Sequence, residues 1–250
     1  FRHEYAKIVS YLTAKFGAAQ IDFIEDAVQD ALYKAMQLWS YQDIPPAPGK
    51  WLYQTAHNGL IDKLRRNAKS VTYEPATMNN ATEATELPED GILKDEELRM
   101  IFACCHPSMK EQEQIMLSLK LLCGFSNLEI AWALFKSPDA VKKALTRAKQ
   151  KFKSEVGHLE IPSKVDLKKR MSVVLKVLYL LFNNGYTAYD GKELLKKDVC
   201  EEAIRLTGLL YEHAISNTPE TSALLSLMCF NFSRFNARED AEGNLLTLEQ

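Results

Sequence analysis

Glycine and proline are scarce: 10 and 9 of 250 residues. That scarcity disfavours turn-dense β sandwiches and barrels and favours helices. Long apolar runs are missing too. The nearest, Val173–Phe182, is broken by Lys176 and is too short to cross a bilayer, which takes about 20 residues, so no membrane association is expected. No signal-peptide pattern stands at the first residues, and the chain opens on Phe1 rather than Met. Cysteines number five and show no paired spacing, as in a reduced, cytoplasmic chain. Charge of one sign is also lacking. The net of −2 excludes a uniformly basic nucleic-acid coat but not local basic patches. Gly-rich phosphate loops, HExxH and GxSxG are all absent. Cys104, Cys105 and His106 are adjacent rather than spaced as zinc ligands. The expectation is therefore neither an enzyme nor a metal- or cofactor-binding protein.

What is present is unevenly charged. Residues 1–69 hold 9 bases and 7 acids, 70–97 hold 1 and 8, 98–160 hold 10 and 6, and 161–250 hold 11 and 12. Two mildly basic modules flank a strongly acidic stretch. That stretch, rich in Thr, Asn, Glu and Pro, has no helical apolar period. It reads either as a solvated linker or as an acidic strand that imitates nucleic acid in a partner's basic channel.

In the first module, helices are expected over His3–Phe16, Glu25–Trp39 and Gly49–Arg66, with Gly17 closing the first. Val28, Ala31, Leu32, Ala35, Leu38 and Trp39 form one face of the second. Asp26, Gln29, Asp30, Tyr33 and Lys34 form the other, either a solvated face or a docking surface. The segment Asp43–Gly49 carries Pro45, Pro46 and Pro48 and is expected as a stiff loop. Beyond it, Trp51, Leu52, Thr55, Ala56, Leu60, Ile61 and Leu64 give an apolar face. Tyr53, Gln54, His57, Asn58, Lys63, Arg65 and Arg66 project elsewhere. Aromatics, amides and bases together suit stacking on unpaired bases and holding phosphates. Trp51 reads as core or as a stacking wedge, and spacing leaves both open.

The second module carries the strongest local pattern. Ser108 to Glu111 and Ser126 to Glu129 read as capping boxes. Ser137 reads as an N-cap followed by Pro138 at the first helical position. Short helix, tight turn, longer helix is the helix-turn-helix plan. In the longer helix Val141, Leu145, Ala148 and Phe152 face a core. Residues 136–153 hold seven bases and one acid, a density suited to phosphates and to base edges in a major groove. Beyond residue 160, helices over Val199–Ala214 and Glu220–Phe235 read as one tetratricopeptide-like hairpin, expected to pack on an apolar helix at 167–182.

The DAVQDAL helix, the WLYQTAHNGLIDKLRR helix and the NLEIAWALFKSPDAVKKALTRAKQKF helix-turn-helix, in that order, resemble the second and fourth conserved regions of extracytoplasmic-function (ECF) sigma factors. The helical tail is similar to that of the subgroup with a long C-terminal extension. The resemblance implies an all-α fold: a region-2-like domain over 1–69, an acidic linker over 70–97, a region-4-like helix-turn-helix domain over 98–160 and a helical extension over 161–250. It implies docking of Asp26, Gln29, Asp30 and Tyr33 on the β′ clamp of core RNA polymerase, and of the second domain on the β flap. It implies capture of the minus-ten element of promoter DNA by the Asp43–Gly49 loop and Trp51, Tyr53, Gln54, His57 and Asn58, with Lys63, Arg65 and Arg66 on phosphates. Lys142, Lys143, Thr146, Arg147 and Lys149 would read the minus-thirty-five element, and the linker would thread the polymerase's RNA path. Ala144 stands where many relatives carry Arg. A regulatory protein on the C-terminal helices is a further implied partner. The alternative is a stand-alone helix-turn-helix regulator whose tail dimerises or senses a ligand.

Overall fold

Apolar residues at helical spacing, Tyr5, Ile8, Val9 and Leu12, produce α1 (Arg2–Phe16) and are all buried. The computed structural model describes residues 2–70, 90–186 and 196–237, and no strand occurs among them. The fold is all-α. The acidic stretch expected to thread a partner's channel lies mostly at 71–89, outside the described residues.

Gly17, at φ 87°, stops α1 in the left-handed region open to glycine. A short 3-10 turn at Ala18–Gln20 then leads into α2 (Ile21–Leu38). This helix starts four residues before the expected Glu25, because Ile21 and Ile24 extend its apolar face into the core. α3 (Pro48–Ser70) carries Pro48 at its start, where the missing N–H costs nothing. α4 (Asp90–Cys104) begins inside the stretch expected as linker. Buried Leu93, Leu98, Ile101 and Phe102 hold it in place.

The second module follows the capping logic with one shift. α5 (Glu111–Leu121) starts after Lys110, whose backbone N–H donates to Glu113 Oε2 at 3.1 Å. Ser108, the expected cap, pairs instead with His106 Nδ1 at 2.8 Å. α6 (Asn127–Ala133) opens on the expected box: the Ser126 N–H donates to Glu129 Oε2 at 2.8 Å, and the Glu129 N–H to Ser126 Oγ at 3.2 Å. α7 (Pro138–Glu155) is capped by Ser137, whose Oγ accepts from Ala140 N–H at 3.3 Å. The stripe Val141, Leu145, Ala148 and Phe152 is buried, as the spacing requires. Ala144 is also buried, at 7% exposure, which leaves little room for a longer side chain.

The extension comprises α8 (Lys164–Tyr186), α9 (Lys197–Glu212) and α10 (Pro219–Phe232). α9 and α10 form the expected hairpin and pack on α8. Gly185 is the point of closest approach: a Cβ there would lie 2.7 Å from Cys200 Sγ and 2.8 Å from the Lys196 carbonyl.

These parts share one core. α1 packs on α2 and α3 on one side and on α4, α5 and α9 on the other. Buried ion pairing reinforces that junction. Arg205 of α9 donates to both carboxylate oxygens of Glu97 on α4, at 2.7 and 2.9 Å, and to Glu202 at 2.7 and 3.0 Å. His3 of α1 lies 3.6 Å from Glu202. Among the described residues, His3, Glu97 and Glu202 also have the spacing of a metal site. The Arg205 guanidinium already occupies both carboxylates, so the group is an ion-pair junction.

Burial alone would raise the Glu202 carboxyl. Arg205 and His3 outweigh it and hold the group at about 2, well below the ordinary 4.5. Glu97, more deeply set, moves the other way: burial outweighs Arg205 and raises it. A depressed carboxylate adds stability above its unfolded pKa and loses it as pH falls through the folded value. Glu202→Gln is therefore expected to cost about 3–5 kcal/mol at neutral pH, the cost of breaking a buried pair. In denaturant titrations, the gap from the unsubstituted protein should narrow as pH falls from 4.5 toward 2. A gap independent of pH would contradict this assignment.

Candidate DNA-reading and polymerase-docking surfaces

α2 presents Asp26, Gln29, Asp30 and Tyr33 to solvent, with Tyr33 62% exposed. Its opposite face, Ala27, Val28, Ala31 and Ala35, is buried against the core. The four candidate docking residues thus share an accessible helix face. Asp30 is not unengaged: Lys63 of α3 reaches its carboxylate at 3.0 Å. A candidate docking acid and a candidate phosphate-holding base therefore hold α2 and α3 together.

α3 divides the expected base-capture set. Gln54, Asn58, Arg65 and Arg66 are exposed. Tyr53 and His57 are not; they are 0% and 4% exposed. This corrects the expectation that both project away from the apolar face. The physical reason is aromatic packing from α1. Tyr11 meets the Tyr53 ring edge-on at 5.6 Å, and Phe16 lies 5.7 Å from His57. Burial, then the Lys15 charge, lowers the His57 pKa and favours the neutral ring. Trp51 is half-buried and tilted on Trp39 at 5.5 Å. Before α3, Tyr41 and Ile44 stand 81% and 62% exposed. The prolines mark the Asp43–Gly49 segment in the sequence, whereas no local pattern marks Tyr41 and Ile44 as exposed.

α7 exposes Lys142, Lys143, Thr146 and Arg147. Arg147 is 3.7 Å from Glu113, which also receives Lys151 at 3.0 Å. Lys149 is turned inward, with 21% of its side chain exposed, and pairs with Asp22 at 3.0 Å and with Glu25. Lys153 also pairs with Asp22, and Lys120 of α5 lies 4.0 Å from Glu25. Burial works against charge at both ends of this cluster, yet the partners win. The Lys149 pKa is raised by Glu25 and Asp22, and Asp22 is lowered by Lys153 and Lys149. Lys120 is lowered, because burial there outweighs Glu25.

The two candidate surfaces consequently face each other. A cleft of about 420 Å³ lies between α2 and α7. Asp26 and Gln29 of the docking set line one wall, and Lys142, Thr146 and Lys149 of the DNA-reading set line the other. Asp22, Glu25, Lys120 and Lys153, which sequence reading did not single out, form the contact. The available signal was complementary charge: acids in the first two turns of α2, and bases at 149 and 153 one turn apart on α7.

α6 and its turn expose a third feature, an apolar patch of Leu128, Trp132 and Phe135, exposed 45%, 42% and 83%. Phe135 sits at φ 52°, an uncommon backbone for an aromatic residue. Cys104, Cys105 and Cys123 are buried and free. Burial pushes the Cys105 thiol up to about 12 and raises the other two, so all three behave as packing groups. Among the described residues, no helix is long and apolar enough to cross a membrane.

Three family models match successive parts of the chain. Sigma-70 region 2 matches residues 1–70, and Sigma-70 region 4 matches residues 99–152. A family of unknown function, DUF6596, matches residues 170–250. An uncharacterized protein of Rhizobium meliloti (strain 1021) is 33% identical over 234 residues, covering 92% of this chain. The chain spans 55% of that relative's length. No solved structure matches it. Regions 2 and 4 in order, on an all-α chain with a helical tail, make the chain similar to ECF-like sigma factors that carry a C-terminal extension.

Proposed function

We propose that this protein is a transcription initiation factor that binds core RNA polymerase and directs it to a subset of promoters. It is not an enzyme on this reading; polymerase performs the chemistry, in the cytoplasm. One observation carries the proposal. A capped helix-turn-helix with a basic exposed face, α6–α7, shares its chain with a helix, α3, that exposes amides and bases beside half-buried tryptophans. A regulator that binds only duplex DNA needs the first and has no use for the second.

In this reading α2 docks on the β′ clamp through Asp26, Gln29, Asp30 and Tyr33. The exposed Leu128, Trp132 and Phe135 patch meets an apolar element of polymerase such as the β flap. α7 enters the major groove of the minus-thirty-five element with Lys142, Lys143, Thr146 and Arg147. Gln54, Asn58 and Trp51, with the exposed loop tips Tyr41 and Ile44, capture unpaired minus-ten bases, while Arg65 and Arg66 hold phosphates. Tyr53 and His57 shape this surface from below and do not touch DNA. The C-terminal helices regulate activity. A groove of about 590 Å³ between α8 and the α9–α10 turn, lined by Leu167, Met171, Leu175 and Ile215, offers a regulatory protein an apolar seat.

Run-off transcription with core polymerase, on the promoter upstream of the protein's own operon, tests the proposal. Transcript should depend on the protein and fall at least about tenfold with Lys142→Glu/Arg147→Glu, given about 1–3 kcal/mol per lost contact. Tight footprinting of duplex DNA by the protein alone, without transcript, would favour the stand-alone regulator.

Asp30→Arg should abolish polymerase co-purification while leaving helicity by circular dichroism intact. Retained co-purification would remove α2 from the docking surface.

Tyr53→Ala is expected to lower stability by about 3–5 kcal/mol, as for other buried aromatics. Gln54→Ala/Asn58→Ala should leave stability within about 0.5 kcal/mol and reduce promoter opening, read with a fluorescent base at minus ten. The reverse pattern would return Tyr53 to the DNA surface.

A further inference from the structure

Arg170 of α8 is used on one side only. Its Nη1 donates to the Phe102 carbonyl at 3.0 Å, in the last turn of α4, where carbonyls lack helical partners. Its Nε is buried and has no hydrogen-bond partner. The nearest acid along α8, Asp166, is engaged elsewhere: Ser163 Oγ donates to it at 2.9 Å, and Lys169 lies at 3.9 Å. Burial lowers the Arg170 pKa, and Asp166 offsets this only in part. Capping α4 takes one amine, which a lysine would supply. The Nε–Nη2 edge, the side of a guanidinium that matches a carboxylate with two parallel hydrogen bonds, has no such task.

Arg170 lines a cavity of about 340 Å³ between the α4–α5 turn, the end of α7 and the start of α8. His106 lines it too. The Ser108 N–H donates to His106 Nδ1 at 3.3 Å, so the neutral ring carries its proton on Nε2. Burial, then the Arg170 charge, lowers the His106 pKa and favours that neutral form. Among the described residues no hydrogen bond engages His106 Nε2. The cavity therefore holds donors on two side chains and no acceptor matched to them. Its remaining acids, Glu155, Glu160 and Asp166, are exposed. They form a negative rim, which disfavours a second negative charge on anything that enters. Val156 and Ile161 give the wall an apolar part.

We propose that this cavity binds a small ligand with a single carboxylate, whose oxygens accept from the Nε–Nη2 edge of Arg170 and from His106 Nε2. Its short apolar remainder lies against Val156 and Ile161. The occupant bridges the second module and the extension, because His106 precedes α5 and Arg170 belongs to α8. The site is separate from the surfaces assigned to polymerase and DNA, and its test needs neither.

Butyrate is the probe, added to the full-length protein at neutral pH, with chloride at equal ionic strength as the reference. Nitrogen–proton correlation spectra follow the Arg170 Nε–H. Butyrate should shift that resonance saturably, with a dissociation constant on the order of 1 mM, as so few atoms allow. Arg170→Lys keeps the charge and an amine for Phe102 but removes the edge. Its affinity, measured by calorimetry, should fall at least about tenfold, the worth of one charge-assisted hydrogen bond. His106→Ala leaves Arg170 in place and should weaken binding as well, which keeps the test decisive if Arg170→Lys does not fold. Succinate, with its second carboxylate, and inorganic phosphate should both bind more weakly than butyrate. No saturable shift, or the same shift with chloride, would overturn the proposal. So would butyrate affinity unchanged in the folded variants, or tighter binding of succinate or phosphate.

Discussion

Lys149 of α7, held between Asp22 and Glu25 of α2, is the contact on which the arrangement of the functional surfaces depends. Glu25 is 2% exposed and also receives the Tyr5 hydroxyl at 3.4 Å. A carboxylate so enclosed needs its cationic partners, because leaving a buried charge unpaired is strongly destabilising. Lys149 and Lys120 supply that charge from the second module. The first module is therefore electrostatically incomplete alone, and the helix-turn-helix is drawn to it by a specific need. Asp22 and Lys153 at the rim are more exposed, hence screened by salt and easier to part.

This contact sits within a core shared by all three parts of the chain. α1 serves each: Ile8, Val9 and Leu12 join the common core, Tyr5 packs under Gly124 of the second module, and His3 approaches Glu202 of the extension. An added Cβ at Gly124 would lie 3.2 Å from the Tyr5 ring, and the residue's φ is +64°, so glycine suits both the turn and the approach. The extension consequently belongs to the body of the protein. Its α9 braces the face on which the two sigma-like modules meet.

Much of this was legible in sequence where local chemistry decides structure. The Ser126–Glu129 box, the Ser137–Pro138 cap and the Val141–Phe152 stripe fixed α6 and α7, because caps and periodicity act within a few residues. The α9–α10 hairpin and its α8 support were legible for the same reason. Long-range packing decided the rest. Tyr53 and His57 look polar enough for a surface, but Tyr11 and Phe16, some forty residues earlier, cover them. α4 extends into the acidic stretch because Leu93 finds a place in a core that sequence does not display. The pairing of Asp22 with Lys149 and Lys153 joins residues 127 and 131 positions apart, beyond the range of any local pattern.

The central claim is that Lys149, paired with Asp22 and Glu25, fixes α7 against α2 in the free protein. Pulsed electron–electron spin resonance measures this directly, with spin labels at exposed Gln37 of α2 and Ser154 of α7 in a Cys229→Ser background. The account predicts one short, narrow distance distribution in the unsubstituted protein and a broader one in Asp22→Asn/Glu25→Gln, which removes the carboxylates that hold Lys149. A distribution that the double substitution leaves unchanged, or an unsubstituted protein already broadly open, would contradict it.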